Sequence, residues 1–192
     1  MRKLTIDDVL DHREYERGRA DLRRRIIDMK KRRRVHLGDI MTLVFENTDT
    51  MRWQVQEMVR AERMLSDEQI AKEVSTYNEL IPDPGELSAT LLIELTSEQQ
   101  LREWLSKLVG IDRAISLGLG DGSVVEARSL DEDRLTRDEV TAAVHFLRFA
   151  FNPAQIEVFA SQPARLRSAH PEYSVDVELS AEVHEELVGD LR

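Results

Sequence analysis

The apolar residues of this chain recur at two spacings, and the change from one to the other outlines the fold. From about Arg13 to Arg34 they fall at Tyr15, Leu22, Ile26 and Met29. Steps of seven, four and three make one stripe along a helix. Arg33, four residues past Met29, continues the stripe and is expected to turn inward onto a carboxylate. Gly38 ends this pattern, and Ile40 to Glu46 reads as a β-prone run too short for a helix. Thr5 and Asp8 predict a capped helical turn ahead of the long helix.

Helical periodicity returns from a cap at Thr48 or Asp49 to about Met64. It resumes after the capping-box pair Ser66 and Gln69, running to about Leu80. Pro82-Asp83-Pro84-Gly85 is a strong stop. In the next strand, Glu86 to Leu95, Leu87, Ala89, Leu91, Ile93 and Leu95 alternate with Ser88, Thr90 and Glu94. Thr96 caps a helix over Ser97 to Val109, and Gly110 ends it. Ala114 to Leu119 and Ser123 to Arg128 flank Gly120-Asp121-Gly122 as a hairpin. Asp131 to Asp133 reads as a polar connection and Ala143 to Ala150 as a strand. A short helix opens at Asn152-Pro153. Strands follow over Ala164 to Ser168 and Tyr173 to Leu179, with a turn at His170-Pro171. Ser180 caps a last helix, Ala181 to Leu191. The order predicts one α+β domain over residues 1–192. It has an antiparallel or mixed sheet, helices packed mainly on one side and a long basic N-terminal helix.

Charge sharpens this picture. Residues 13–34 hold 11 Lys or Arg against 4 Asp or Glu, a balance of +7, while the remaining residues stand at −17. Segregation on that scale calls for an acidic partner, a polyanion or the chain's own acidic body. The basic surface would comprise Arg23, Arg24 and Arg25, with Lys30, Lys31, Arg32 and Arg34. The net charge of −10 and the lack of a nucleic-acid-binding motif disfavour nucleic acid. An acidic protein is the partner expected, and self-association is compatible with the sequence. No apolar run approaches the length of a membrane span, and no signal peptide is apparent, so the cytoplasm is the expected location. The absence of cysteine excludes disulfides, thiolate metal sites and cysteine nucleophiles.

Several segments together resemble a bacterial family known only as a domain of unknown function. They are Glu14-Tyr15-Glu16-Arg17, Lys31 to Arg34 with Leu37-Gly38, Leu43 to Asn47, Gln54 to Arg60, Tyr77 to Leu80, Pro84 to Leu91, Phe146 to Phe149 and His170 to Tyr173. The resemblance spans nearly the whole chain. It implies no catalytic residue and no cofactor. It does imply a neighbourhood of rubrerythrin-like and iron–sulfur proteins, hence an accessory role in redox or peroxide stress.

Specific chemistry is sparse. No histidine sits in an HxxxH or ExxH spacing, so no metal is expected; a site assembled from Glu46, Glu94 and His145 would need the fold to gather them. There is no G-x-S-x-G elbow, and the glycines at 118, 120 and 122 lack a P-loop lysine. The most suggestive set is polar and sits on strands. Glu46 with Thr42, then Ser88, Thr90 and Glu94, then Arg148 could form one pocket floor. Arg33, Gln54, Glu57, Tyr77, Asn78 and Glu86 could rim it. The reading that follows is a non-catalytic interaction or accessory protein. The alternative is a small-molecule-binding protein or enzyme using the sheet's polar face.

Overall fold

The structure is a computed structural model that describes residues 1–130 and 140–192. The polar connection expected at Asp131 to Asp133 lies outside the described residues. Eight strands form one sheet in the order β1-β2-β3-β6-β5-β4-β7-β8, and every neighbouring pair is antiparallel. They are β1 (Arg34–Leu37), β2 (Met41–Glu46), β3 (Glu86–Ile93), β4 (Ile115–Gly118), β5 (Val124–Ser129), β6 (Val144–Ala150), β7 (Arg165–His170) and β8 (Tyr173–Glu178). The sheet curls until its two edges nearly meet. There the Tyr173 hydroxyl donates to the Leu37 carbonyl at 2.8 Å and accepts from the Ile40 amide at 3.3 Å.

Alternation sorts the strands into two faces. Leu43, Phe45, Leu87, Ala89, Leu91, Leu147 and Phe149 point into the main core, joined by Leu117, Leu166 and the helix α6 residues Val183 and Leu187. The other face of β2, β3 and β6 carries Phe146 into a second apolar cluster, with Met51, Val55, Val59, Val74 and Ile81. The three longest helices gather on that second side: α1 (His12–Lys31), α2 (Thr48–Ala61) and α3 (Asp67–Asn78). The shorter α4 (Glu98–Lys107), α5 (Pro153–Ser161) and α6 (Ala181–Leu191) complete the set. This is the α+β arrangement expected, with the basic helix in place.

Local caps explain most boundaries. Ser66, Asn152 and Ser180 accept from backbone amides of the first turns of α3, α5 and α6, as their spacing predicts. Two caps shift by one or two residues. Asn47, not Thr48 or Asp49, caps α2, and Ser97, not Thr96, caps α4. The larger correction concerns the basic tract. The helix stops at Lys31, and Arg34–Leu37 forms strand β1. Val35 and Leu37 then face the core while Arg34 and His36 face out.

Candidate functional site

Helix α1 is fastened to the body along both flanks. Asp11 caps it, accepting from the Arg13 and Glu14 amides, and those bonds hold the Asp11 carboxyl below its ordinary range. Tyr15 and Ile26 are buried, so the stripe faces inward as predicted. On one flank Arg19 makes a two-point contact with Glu57, both bonds 2.7 Å, and Tyr15 donates to the same carboxylate at 2.5 Å. Arg19 first, and then Tyr15, hold the Glu57 carboxyl down against desolvation. Burial, followed by the neighbouring carboxylate, pushes the Tyr15 phenol up. Arg60 meets Glu16 at 2.5 Å on the same side.

The other flank belongs to α6. Arg32 lies 3.4 Å from Glu186. Arg33 has no solvent exposure, and both its terminal nitrogens donate to Asp190, with Glu186 3.6 Å away. Burial pushes the Asp190 carboxyl above its ordinary range, and Arg33 opposes the shift. The inward turn expected of Arg33 is therefore present, and its partners are the carboxylates of α6.

The remaining cations of the tract divide by use. Arg24 pairs with Asp21 and Lys31 with Asp28, both one turn away on exposed helix surface. Such pairs contribute little. Among the described residues Arg23, Arg25, Lys30 and Arg34 make no ion pair. The surface of α1, with Arg34 at the start of β1 just beyond it, thus presents cations that the acidic body has not taken up.

The polar strand residues assemble only in part. Register sets Glu46 opposite Ser88 and Ser88 opposite Arg148, in one row across β2, β3 and β6. Thr90 donates to Glu46 at 2.8 Å; the other Glu46 oxygen is buried without a hydrogen bond. Arg148 is consumed locally. It donates to Glu86 at 3.0 Å and to the carbonyls of Glu79 and Ile81, closing the end of α3 onto the sheet. Asn78 pairs through its amide with both the Leu4 N–H and carbonyl, fixing the N-terminal segment. Tyr77 lies beside Gln54; burial pushes its phenol up, and the Gln54 hydrogen bond opposes this.

Two residues leave the row. Glu94 is at the opposite end of β2, where its amide bonds to Ile40 and its carboxylate accepts from Thr42 at 2.5 Å. Thr42 in turn meets His36 at 3.1 Å. His145 pairs in register with Leu91 and lies at the core face, near Thr141 and the Ala142 carbonyl. Glu46, Glu94 and His145 therefore do not converge on one metal. Among the described residues no three His, Asp or Glu side chains gather as a metal site. His170 has a backbone role: its Nδ1 accepts from the Glu172 amide, so Nε2 carries the proton given to the Val109 carbonyl at 3.0 Å.

Sequence reasoning missed a groove of about 770 Å³ where the N-terminal segment meets the ends of α1, α2 and α3. The signal in the sequence was an apolar Leu65 placed directly before the Ser66 cap, in the connection between α2 and α3, where it is 86% exposed.

The residues matched by known sequences cover the whole of this architecture. The profile of a family described as protein of unknown function, DUF3501, matches residues 3–191. The chain belongs to the DUF3501 family. Among solved structures it is similar to a novel protein of unknown function from Burkholderia pseudomallei K96243. That similarity is 37% identity over 100% of both chains, with a TM-score of 0.93. Comparison with curated proteins gave no match. Among the described residues no helix is long and apolar enough to cross a membrane.

Proposed function

We propose that this DUF3501 protein is a non-catalytic interaction protein that docks an acidic protein partner on the exposed side of α1. The observation that carries this reading is the division of labour within one basic tract. Arg19, Arg32 and Arg33 hold the helix to the body, whereas Arg23, Arg25 and Lys30 on the helix, and Arg34 at the start of β1, make no ion pair among the described residues. A helix anchored by its own cations and displaying others is a rigid positive ridge. Such a ridge steers and orients an acidic surface at little ordering cost. The redox or stress setting rests on the family resemblance alone, since both the family description and the matched structure read unknown function.

The test is a pull-down from the native host with wild-type protein and with Arg23→Glu, Arg24→Glu and Arg25→Glu combined. The triple variant is expected to stay folded and to lose the acidic proteins retained by the wild type. An unchanged profile counts against the proposal. Retention that survives nuclease but weakens steeply with salt supports a protein partner; loss on nuclease treatment would point to nucleic acid instead.

A further inference from the structure

The groove at the N-terminal end of α1 lies apart from the basic ridge and has a different chemistry. Its walls include Ile6, Leu10, Val59, Met64, Leu65 and Ile70. Three of these are large apolar side chains left in water: Ile6 at 37%, Leu10 at 40% and Leu65 at 86% exposure. The floor is already satisfied. The buried Gln56 amide accepts from the Leu10 N–H at 2.8 Å and donates to its carbonyl at 3.0 Å. A guest would therefore meet a preformed trough whose floor amide is already paired.

We infer that this groove is the contact between two copies of the chain, each placing Leu65 in the groove of the other about a two-fold axis. Shape and charge both favour a second copy. A two-fold contact needs a patch complementary to itself, and here a projecting leucine stands beside a hollow. The segment Arg63-Met64-Leu65-Ser66-Asp67 carries its cation and its carboxylate two residues either side of that leucine. Two such segments running antiparallel bring Arg63 of each copy to Asp67 of the other. Both residues are exposed, and neither makes an ion pair within its own chain among the described residues. The backbone of Arg63 is in the left-handed region at φ 52°. The rim carries both signs of charge, Asp11, Glu16 and Asp67 against Arg60 and Arg63. It therefore lacks the single-sign field that a strongly charged partner would select.

Light scattering coupled to size exclusion tests this on the full chain. At about 100 µM the wild type is expected to show twice the 22.2 kDa chain mass. Leu65→Glu is expected to halve that mass without changing the circular dichroism, because the side chain makes little contact with its own chain. Arg63→Asp and Asp67→Arg should each weaken the dimer about tenfold or more, and the two together should restore it by exchanging the charges. A wild-type monomer overturns the inference. So does a dimer indifferent to Leu65→Glu, or a double exchange no tighter than the single variants. A monomer that binds the apolar dye anilinonaphthalene sulfonate, and loses that binding in Leu65→Glu, assigns the groove to a small apolar ligand and also overturns it.

Discussion

Arg33 places a guanidinium wholly out of water, and desolvation of that kind costs several kcal/mol before the carboxylates of α6 offset it. Removing the cation alone leaves Asp190 buried beside Glu186. Arg33→Met is therefore expected to destabilise the fold by about 3–5 kcal/mol, and adding Asp190→Leu should recover much of the loss. Urea unfolding of the single and double variants checks both statements. The pH dependence has a definite sign. Burial raises the folded Asp190 carboxyl, so the folded state binds more protons than the unfolded one across the interval between their two values. The contribution is full below about pH 4, the ordinary carboxylate value, and is lost as pH rises through the folded one. Arg33 limits the shift in the wild type. In Arg33→Met the decline in stability from about pH 4 to about pH 7 should steepen, read from urea midpoints across that range. A midpoint that falls no faster than in the wild type would contradict this account. The inward turn of Arg33 was expected from its place four residues beyond Met29, yet the helix stops at Lys31 and it is the turn into β1 that carries Arg33 inward. Its partners were not legible, because nothing local joins Arg33 to Asp190, 157 residues away, or to Glu186 one turn before it.

Strand β1 shows how an element escapes notice when two signals overlap. Arg34-Val35-His36-Leu37 has the alternation of a half-buried strand, but it begins inside a run of cations that continues the helix to the eye. What decides is tertiary: pairing with β2, Val35 against Leu43 and Leu37 against Met41, buries both apolar residues. Longer alternations such as Glu86 to Leu95 were readable because five apolar positions agree on one face. The turn after β1 carries a further constraint. Gly38 has φ 71°, and an added Cβ would strike the Tyr173 hydroxyl, which bonds to both sides of this turn. Gly38→Ala should therefore cost about 1–3 kcal/mol. Tyr173→Phe should cost about 1 kcal/mol through its lost hydrogen bonds. The alanine penalty should be smaller in the Tyr173→Phe background, where the clashing oxygen is gone, although the backbone strain and the close approach of the ring and of Val175 persist. Thermal or urea unfolding of the four-member cycle measures that coupling. Strict additivity would show that the hydroxyl and the turn act independently.

Across the whole molecule, the sheet's near closure decides which polar residues can meet. Alternation correctly placed Glu46, Ser88, Thr90 and Arg148 on one face. The same alternation sets His145 on the face opposite to that of Arg148, the core face, whereas strand order was needed to show that Glu94 stands at the far end of β2. Helix packing then buries the row, and Arg148 closes α3 onto it. The charge pattern works at the same scale. A body at −17 and a tract at +7 attract one another wherever the tract lies, so part of its value is intramolecular. Reversing Arg23, Arg24 and Arg25 moves the net charge from −10 to −16, two negative charges for each substitution. Long-range repulsion with the acidic body should then lower the urea midpoint of the triple variant below that of the wild type at low ionic strength. Near 1 M salt, where the screening length is about 3 Å, the two midpoints should converge. Partner binding responds differently. Salt weakens binding by the wild type, but adding salt cannot restore binding to the variant, because screening removes the attraction along with the repulsion. The pair of salt titrations therefore separates the two uses of the tract. A midpoint gap that closes with salt beside a binding defect that does not recover identifies α1 as both neutraliser and docking ridge. A gap that closes with no binding defect at any salt leaves the body as its only counterpart.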